Sequence, residues 1–213
     1  MRTVKHVTDA ALTAFFCAAS LWAGSSSAQT TPDAAAKEAA RNLAVGMCAS
    51  CHGPEGRSTN ALVPNLAGQQ RAYIEVQLKA FRTQSRGDPD AHDYMWGVAS
   101  TLNDGITVGL ADYFSSQSPA PGTPADPATL ATGRQLYDKG DPARGILPCV
   151  TCHGTNAQGA SVFPRLAGQH SQYLAKQMQM LRVRLRASPV MHGVIKDLSD
   201  TDILALASYL QSK

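Results

Sequence analysis

Four things are scarce in this 213-residue chain, and each scarcity removes a class of answer. Excess charge is absent: 19 Lys and Arg stand against 16 Asp and Glu, too near balance for a polyanionic partner such as nucleic acid. Long apolar runs are confined to the start. The one candidate, about Ala10 to Ala23, is short for a membrane span, follows Arg2 and Lys5, and leads into Ser25-Ser26-Ser27-Ala28. Residues 1–28 are therefore expected to be an export signal, cut before Gln29. No stretch alternates apolar and polar residues as a half-buried strand would. Cysteine is sparse as well, with five in all. Cys17 lies in the export segment and lacks the preceding small residues of a lipid-anchor site.

The other four cysteines fall into Cys48-Ala49-Ser50-Cys51-His52 and Cys149-Val150-Thr151-Cys152-His153. No disulfide framework is left to assign. Each pentad is Cys-x-x-Cys-His, the attachment signature of a c-type haem. Residues three and four apart share one side of a helical turn. Cys48 and Cys51 can both reach one edge of a porphyrin to form thioethers, with His52 placed as the proximal iron ligand. Cys149, Cys152 and His153 repeat the arrangement. A redox disulfide would want a strand–helix context, and zinc-ribbon pairs lie roughly 15–20 residues apart. Here the pairs are about a hundred positions apart, and neither alternative explains the histidines.

The pentads anchor an internal repeat. Pro64-Asn65-Leu66-Ala67-Gly68-Gln69 recurs as Pro164-Arg165-Leu166-Ala167-Gly168-Gln169. Tyr73, Gln77, Leu78, Phe81 and Arg82 correspond to Tyr173, Gln177, Met178, Leu181 and Arg182. Met95-Trp96-Gly97-Val98 corresponds to Met191-His192-Gly193-Val194. The repeats predict two all-α domains, residues 33–116 and 128–213, preceded by the signal segment 1–28. The proline-rich stretch 117–127 reads as a stiff tether. Asp33 should cap a first helix. Tyr73, Gln77, Leu78 and Phe81 mark one helical face, and Leu130 to Tyr137 a helix opening the second domain. Ser199-x-x-Asp202 resembles a capping box. Domains this small have marginal cores, which a buried haem would supplement.

An electron carrier fills both axial positions of its iron. Met95 and Met191 correspond across the repeat, follow their pentads at a distance that lets the chain wrap around, and are expected in loops before the last helix. They are the expected distal ligands, with His92 a rival to Met95. Met47 adjoins Cys48 and cannot reach the distal side, Met178 reads as core filling, and His170 reads as a surface residue. Arg82, Arg86, Arg182, Arg184 and Arg186 read first as solvated helix faces, and otherwise as a weak docking patch for an acidic partner. Thioether ligation would favour ferrous iron and a high potential.

These residues, over essentially the whole chain after the export segment, resemble the dihaem cytochromes c4, built of two class I cytochrome c domains. The resemblance implies two covalently bound haems facing each other near a pseudo-twofold interface. It also implies that the carbonyls of Pro64 and Pro164 accept hydrogen bonds from the proximal histidines. Two departures stand out: a longer loop before Met95 and a short helix before Cys48. The function expected is that of a periplasmic electron carrier, not an enzyme, taking electrons from a quinol-oxidising complex and delivering them to a terminal oxidase or reductase. It would be a monomer, free or peripherally attached to a membrane. The alternative is a cytochrome subunit of a dehydrogenase, for example of the flavocytochrome sulfide dehydrogenase type. A dihaem peroxidase would need an open iron site, which two corresponding methionines argue against.

Overall fold

The computed structural model describes residues 33–213, so residues 1–28, expected to be an export signal, and Cys17 lie outside the described residues. Helix α1 (Ala34–Leu43) starts at Asp33, whose carboxylate accepts the Ala36 N–H at 2.7 Å. The backbone continues through a wider π turn, Ala44–Cys48, into α2 (Ala49–His52). The helix before the first pentad is thus long and unbroken, where a short one was expected. Then follow α3 (Arg71–Arg82), a π turn Ala91–Met95, α4 (Trp96–Ser100) and α5 (Asp104–Ser115).

The second half repeats this plan with α6 (Pro127–Lys139), α7 (Val150–His153), α8 (Ser171–Arg182), α9 (Pro189–Ile195) and α10 (Asp200–Gln211). Ser199 and Asp202 form a reciprocal capping box at α10. Among the described residues only isolated bridges, Asp141–Ile146 and Ala160–Phe163, have β pairing. The fold is all-α.

Two hydrophobic cores result, one from Ala40 to Phe114 and one from Leu136 to Leu210. In each, the first and last long helices cross where side chains are smallest. A Cβ added at Gly109 of α5 would lie 2.6 Å from the Ala40 Cβ of α1. In the second half the glycine sits on the other helix: a Cβ on Gly133 of α6 would lie 2.2 Å from the Ala205 carbonyl of α10. The repeat has conserved the close crossing while moving the glycine that permits it.

The halves meet along a seam built from the two Pro-x-Leu-Ala-Gly-Gln loops. Gln169 Oε1 accepts the Asn65 N–H at 2.8 Å and its Nε2 donates to the Asn65 carbonyl at 2.9 Å. In return, Gln69 Oε1 accepts the Arg165 N–H at 2.7 Å and its Nε2 donates to the Arg165 carbonyl at 3.0 Å. Each side chain caps both peptide groups of the twin residue opposite. Deeper in the seam, Arg86 donates to Gln177 at 2.9 Å and Arg186 to Gln77 at 3.0 Å and to the Tyr73 hydroxyl at 2.6 Å. Such i-to-j and j-to-i reciprocity is what a twofold relation between like surfaces produces. The linker crosses beside these loops. A Cβ at Gly68 would strike Pro119 at 2.4 Å, and one at Gly168 the Ala120 carbonyl at 2.4 Å.

Several side chains expected on the surface are held here. Arg86 is 8% exposed and paired with Asp88, which is 1% exposed. Burial alone would raise the Asp88 pKa, but the Arg86 hydrogen bond and charge outweigh it and hold the carboxyl down. Arg82 and Arg182 cap the carbonyls of Leu102 and Leu198 and pair with Asp104 and Asp200. His170 reaches across the seam to the Ser58 carbonyl at 3.0 Å. The solvated-face reading survives only for Arg184.

Candidate haem centres

Each pentad lies on a helical turn, so its cysteines share one side and its histidine follows directly. Cys48 and Cys149 are half-buried, Cys51 and Cys152 are exposed, and none of the four is in a disulfide. Before the thioethers form, burial pushes the Cys48 thiol up and that of Cys149 to about 11, so both are protonated near neutrality. Each histidine is anchored alike. His52 Nδ1 lies 2.9 Å from the Pro64 carbonyl, and His153 Nδ1 lies 3.0 Å from the Pro164 carbonyl. A carbonyl only accepts, so Nδ1 carries the proton and the Nε2 lone pair is left to bind iron. Burial lowers both histidine pKa values more than the carbonyls raise them, which keeps the imidazoles neutral, the metal-binding form.

The proline carbonyls are themselves fixed in place. Gly56 O accepts the N–H groups of Leu66 and Ala67, and Ala157 O does the same for Leu166 and Ala167. The N–H groups of Gly68 and Gly168 bond to Phe114 and Leu210 at the ends of α5 and α10. Each histidine anchor is thus the immediate neighbour of a seam residue: Pro64 holds His52 while Asn65 holds Gln169. Sequence reading found the recurring glutamines but gave them no task. Their signal was a buried-loop motif ending in the same amide twice.

Met95 and Met191 are each half-buried, Met95 against the first core together with Cys48, and Met191 against the second with Cys149. They sit on helical turns, not in loops. Both distal segments turn helical at a proline, Pro89 and Pro189. The first fits four more residues before its methionine, as the π turn Ala91–Met95. Because a turn takes 3.6 residues, this insertion lengthens the helix by about one turn and returns Met95 to the same face. His92 points outward: its Nδ1 pairs with Asp93 at 2.7 Å, its side chain is 63% exposed, and its ring stands edge-on to Trp96. Met47 is 52% exposed.

This donor set fits a haem held by two thioethers: two cysteines on one turn, a neutral imidazole with fixed tautomer, and a methionine thioether packed on the same core as the first cysteine. Among the described residues no group of three or more His, Cys, Asp or Glu gathers as zinc would require.

The family model "Cytochrome c" matches residues 36–107 and again 130–213. Cytochrome c4 of Thiocapsa roseopersicina is 36% identical over 186 residues, covering 84% of this chain and 94% of that one. The chain belongs to the dihaem cytochrome c4 family. The crystal structure of reduced recombinant cytochrome c4 from Pseudomonas stutzeri superposes with a TM-score of 0.74 at 35% identity, over 83% of this chain and 97% of that chain. A "Thiosulfate dehydrogenase electron acceptor" of Thiomonas intermedia is 32% identical over 174 residues, 78% of each chain. As a family member the chain carries two covalently bound haems c and transfers electrons, with redox proteins as its partners.

Proposed function

We propose that this chain, exported by residues 1–28 and organised as domains 33–116 and 128–213 around the linker 117–127, is a periplasmic electron carrier. It takes electrons from a quinol-oxidising complex and passes them to a terminal oxidase or reductase. Cys48, Cys51, Cys149 and Cys152 would hold the haems, and His52 with Met95 and His153 with Met191 would bind the two irons. One observation carries this reading: twin histidines with twin carbonyl anchors, each in a pentad whose first cysteine packs on the same core as a half-buried methionine. When bound, the haem supplies an iron that cycles between ferric and ferrous forms. The protein keeps the imidazoles neutral and oriented, fills the sixth position so that no substrate binds, and holds two domains in fixed register so that electrons cross the seam. No proton moves and no bond to substrate forms, so the chain itself is not an enzyme.

Near-infrared redox titration of the haem-loaded protein tests the assignment. Both centres should show the thioether-to-ferric charge-transfer band. Met191→Ala should make one ferrous haem bind carbon monoxide, and Met95→Ala the other. A variant that stays six-coordinate and unreactive removes that methionine from the ligand set.

The second reading is an electron-accepting partner of a dehydrogenase, favoured by the likeness to the thiosulfate dehydrogenase electron acceptor. It keeps both centres and changes only the donor. Faster reduction by a purified thiosulfate dehydrogenase than by a quinol-oxidising complex would select it.

A further inference from the structure

The turn after α3 and the turn after α8 share one backbone and carry opposite side chains. In the first, Gln84 has φ +57° and Arg86 N–H bonds to Ala80 O; in the second, Arg184 has φ +62° and Arg186 N–H bonds to Met180 O. Thr83, Gln84 and Ser85 are exposed in the first. Their counterparts are Val183 (57% exposed), Arg184, and Leu185 (51%), and Val190 beyond them is 67% exposed. The polar turn shows that this backbone needs no aliphatic residue for folding. A surface turn gains nothing from exposed valine and leucine, which leave apolar area in water.

Charge follows the same division. Residues 183–196 carry Arg184, Arg186 and Lys196 and no carboxylate; residues 83–100 carry Arg86 with Asp88, Asp90 and Asp93. Arg186 is spent on the seam and Lys196 on Asp197. Arg184 is the free cation. Its Nε donates to His192 Nε2 at 2.9 Å, and its terminal amino groups find no acceptor among the described residues. It borders an open cavity of about 280 Å³ with Ser188, Pro189 and His192.

We propose that this turn of the second domain, Val183, Arg184 and Leu185, with Val190 at the start of α9, is the docking surface for an acidic redox protein. The inference rests on the electron-carrier reading and adds which domain meets that partner. An apolar centre with a free guanidinium suits a surface that offers hydrophobic contact rimmed by carboxylates, as transient redox encounters use. Exchange across it moves one electron between the second domain and the partner's metal centre. One is oxidised as the other is reduced, with no bond made or broken.

The test gives the second turn the side chains of the first: Val183→Thr, Arg184→Gln and Leu185→Ser, singly and together, in the haem-loaded protein. Stopped-flow oxidation uses an acidic blue-copper protein as probe, with cationic tris(phenanthroline)cobalt(III) as control. With the visible spectrum and potentials unchanged, the triple variant should slow the acidic protein about tenfold at low ionic strength and leave the cobalt complex unaffected. Arg184→Gln alone should flatten the salt dependence. Unchanged rates with the acidic protein overturn the docking surface while the carrier function stands. Loss of oxidation by both reagents, or turnover of peroxide, would count against the carrier itself. If the triple variant instead abolishes binding to anionic lipid vesicles, or a dimer in sedimentation, the surface serves a membrane or a second copy and the proposal fails.

Discussion

Cutting Gln169 back to alanine should loosen the seam at one identifiable amide. Gln169 and Asn65 are 6% and 8% exposed, and both bonds between the Gln169 side chain and the Asn65 peptide groups are buried. Alanine leaves the Asn65 N–H and C=O without partners, at about 1–3 kcal/mol for each buried group left unmet. For the amide alone that corresponds to exchange roughly 5- to 150-fold faster, if the exchanging state is the opened seam. Native-state hydrogen exchange on the ferrous, haem-loaded protein reads it directly. Gln169→Glu sets a buried carboxylate against the Asn65 carbonyl, so it should open the seam at least as much as alanine does. Gln69→Ala, whose bonds to Arg165 are only part-buried, should fall at the lower end of the range. Asn65 exchange no faster in Gln169→Ala than in the parent would refute the seam as the element that fixes the domains.

Two further predictions concern stability. Arg144 donates two bonds to Asp202, which with Ser199 holds its pKa down to about 2 against the opposing effect of burial. A depressed carboxyl stabilises the fold above its unfolded pKa near 4, and that contribution fades as pH falls through 4 towards 2. Because the Arg144 side chain is 40% exposed, which screens the pair, Asp202→Asn should cost about 1 kcal/mol at pH 7, and the gap to the parent should close near pH 2 in thermal melts. Gly133→Ala puts a methyl group 2.2 Å from the Ala205 carbonyl, so α6 and α10 must separate. The cost should be at least about 1–3 kcal/mol, confined to the second domain in exchange measurements.

Local patterns made much of the molecule legible beforehand. The pentads name the cofactor because thioether chemistry demands that spacing. The helices follow from short-range periodicity and caps: Asp33, Ser199 and Asp202 act within three residues of their partners. The correspondence of Met95 with Met191 was visible because a duplicated chain carries its own alignment.

Other features depended on which surfaces the two halves present to each other. A solvated arginine and a buried one read the same in sequence. Arg86 and Arg186 are held in the seam because twin glutamines and a tyrosine wait there, contributed by residues roughly ninety to a hundred and ten positions away. His170 likewise became a seam residue only through Ser58. The extra four residues before Met95 looked like loop, since helical phase shows only once the turn is built. Sequence alone therefore determined the cofactor and its attachment at each centre, which are local and covalent. Tertiary structure decided how two such centres are held together, because burial and pairing are properties of surfaces brought into contact.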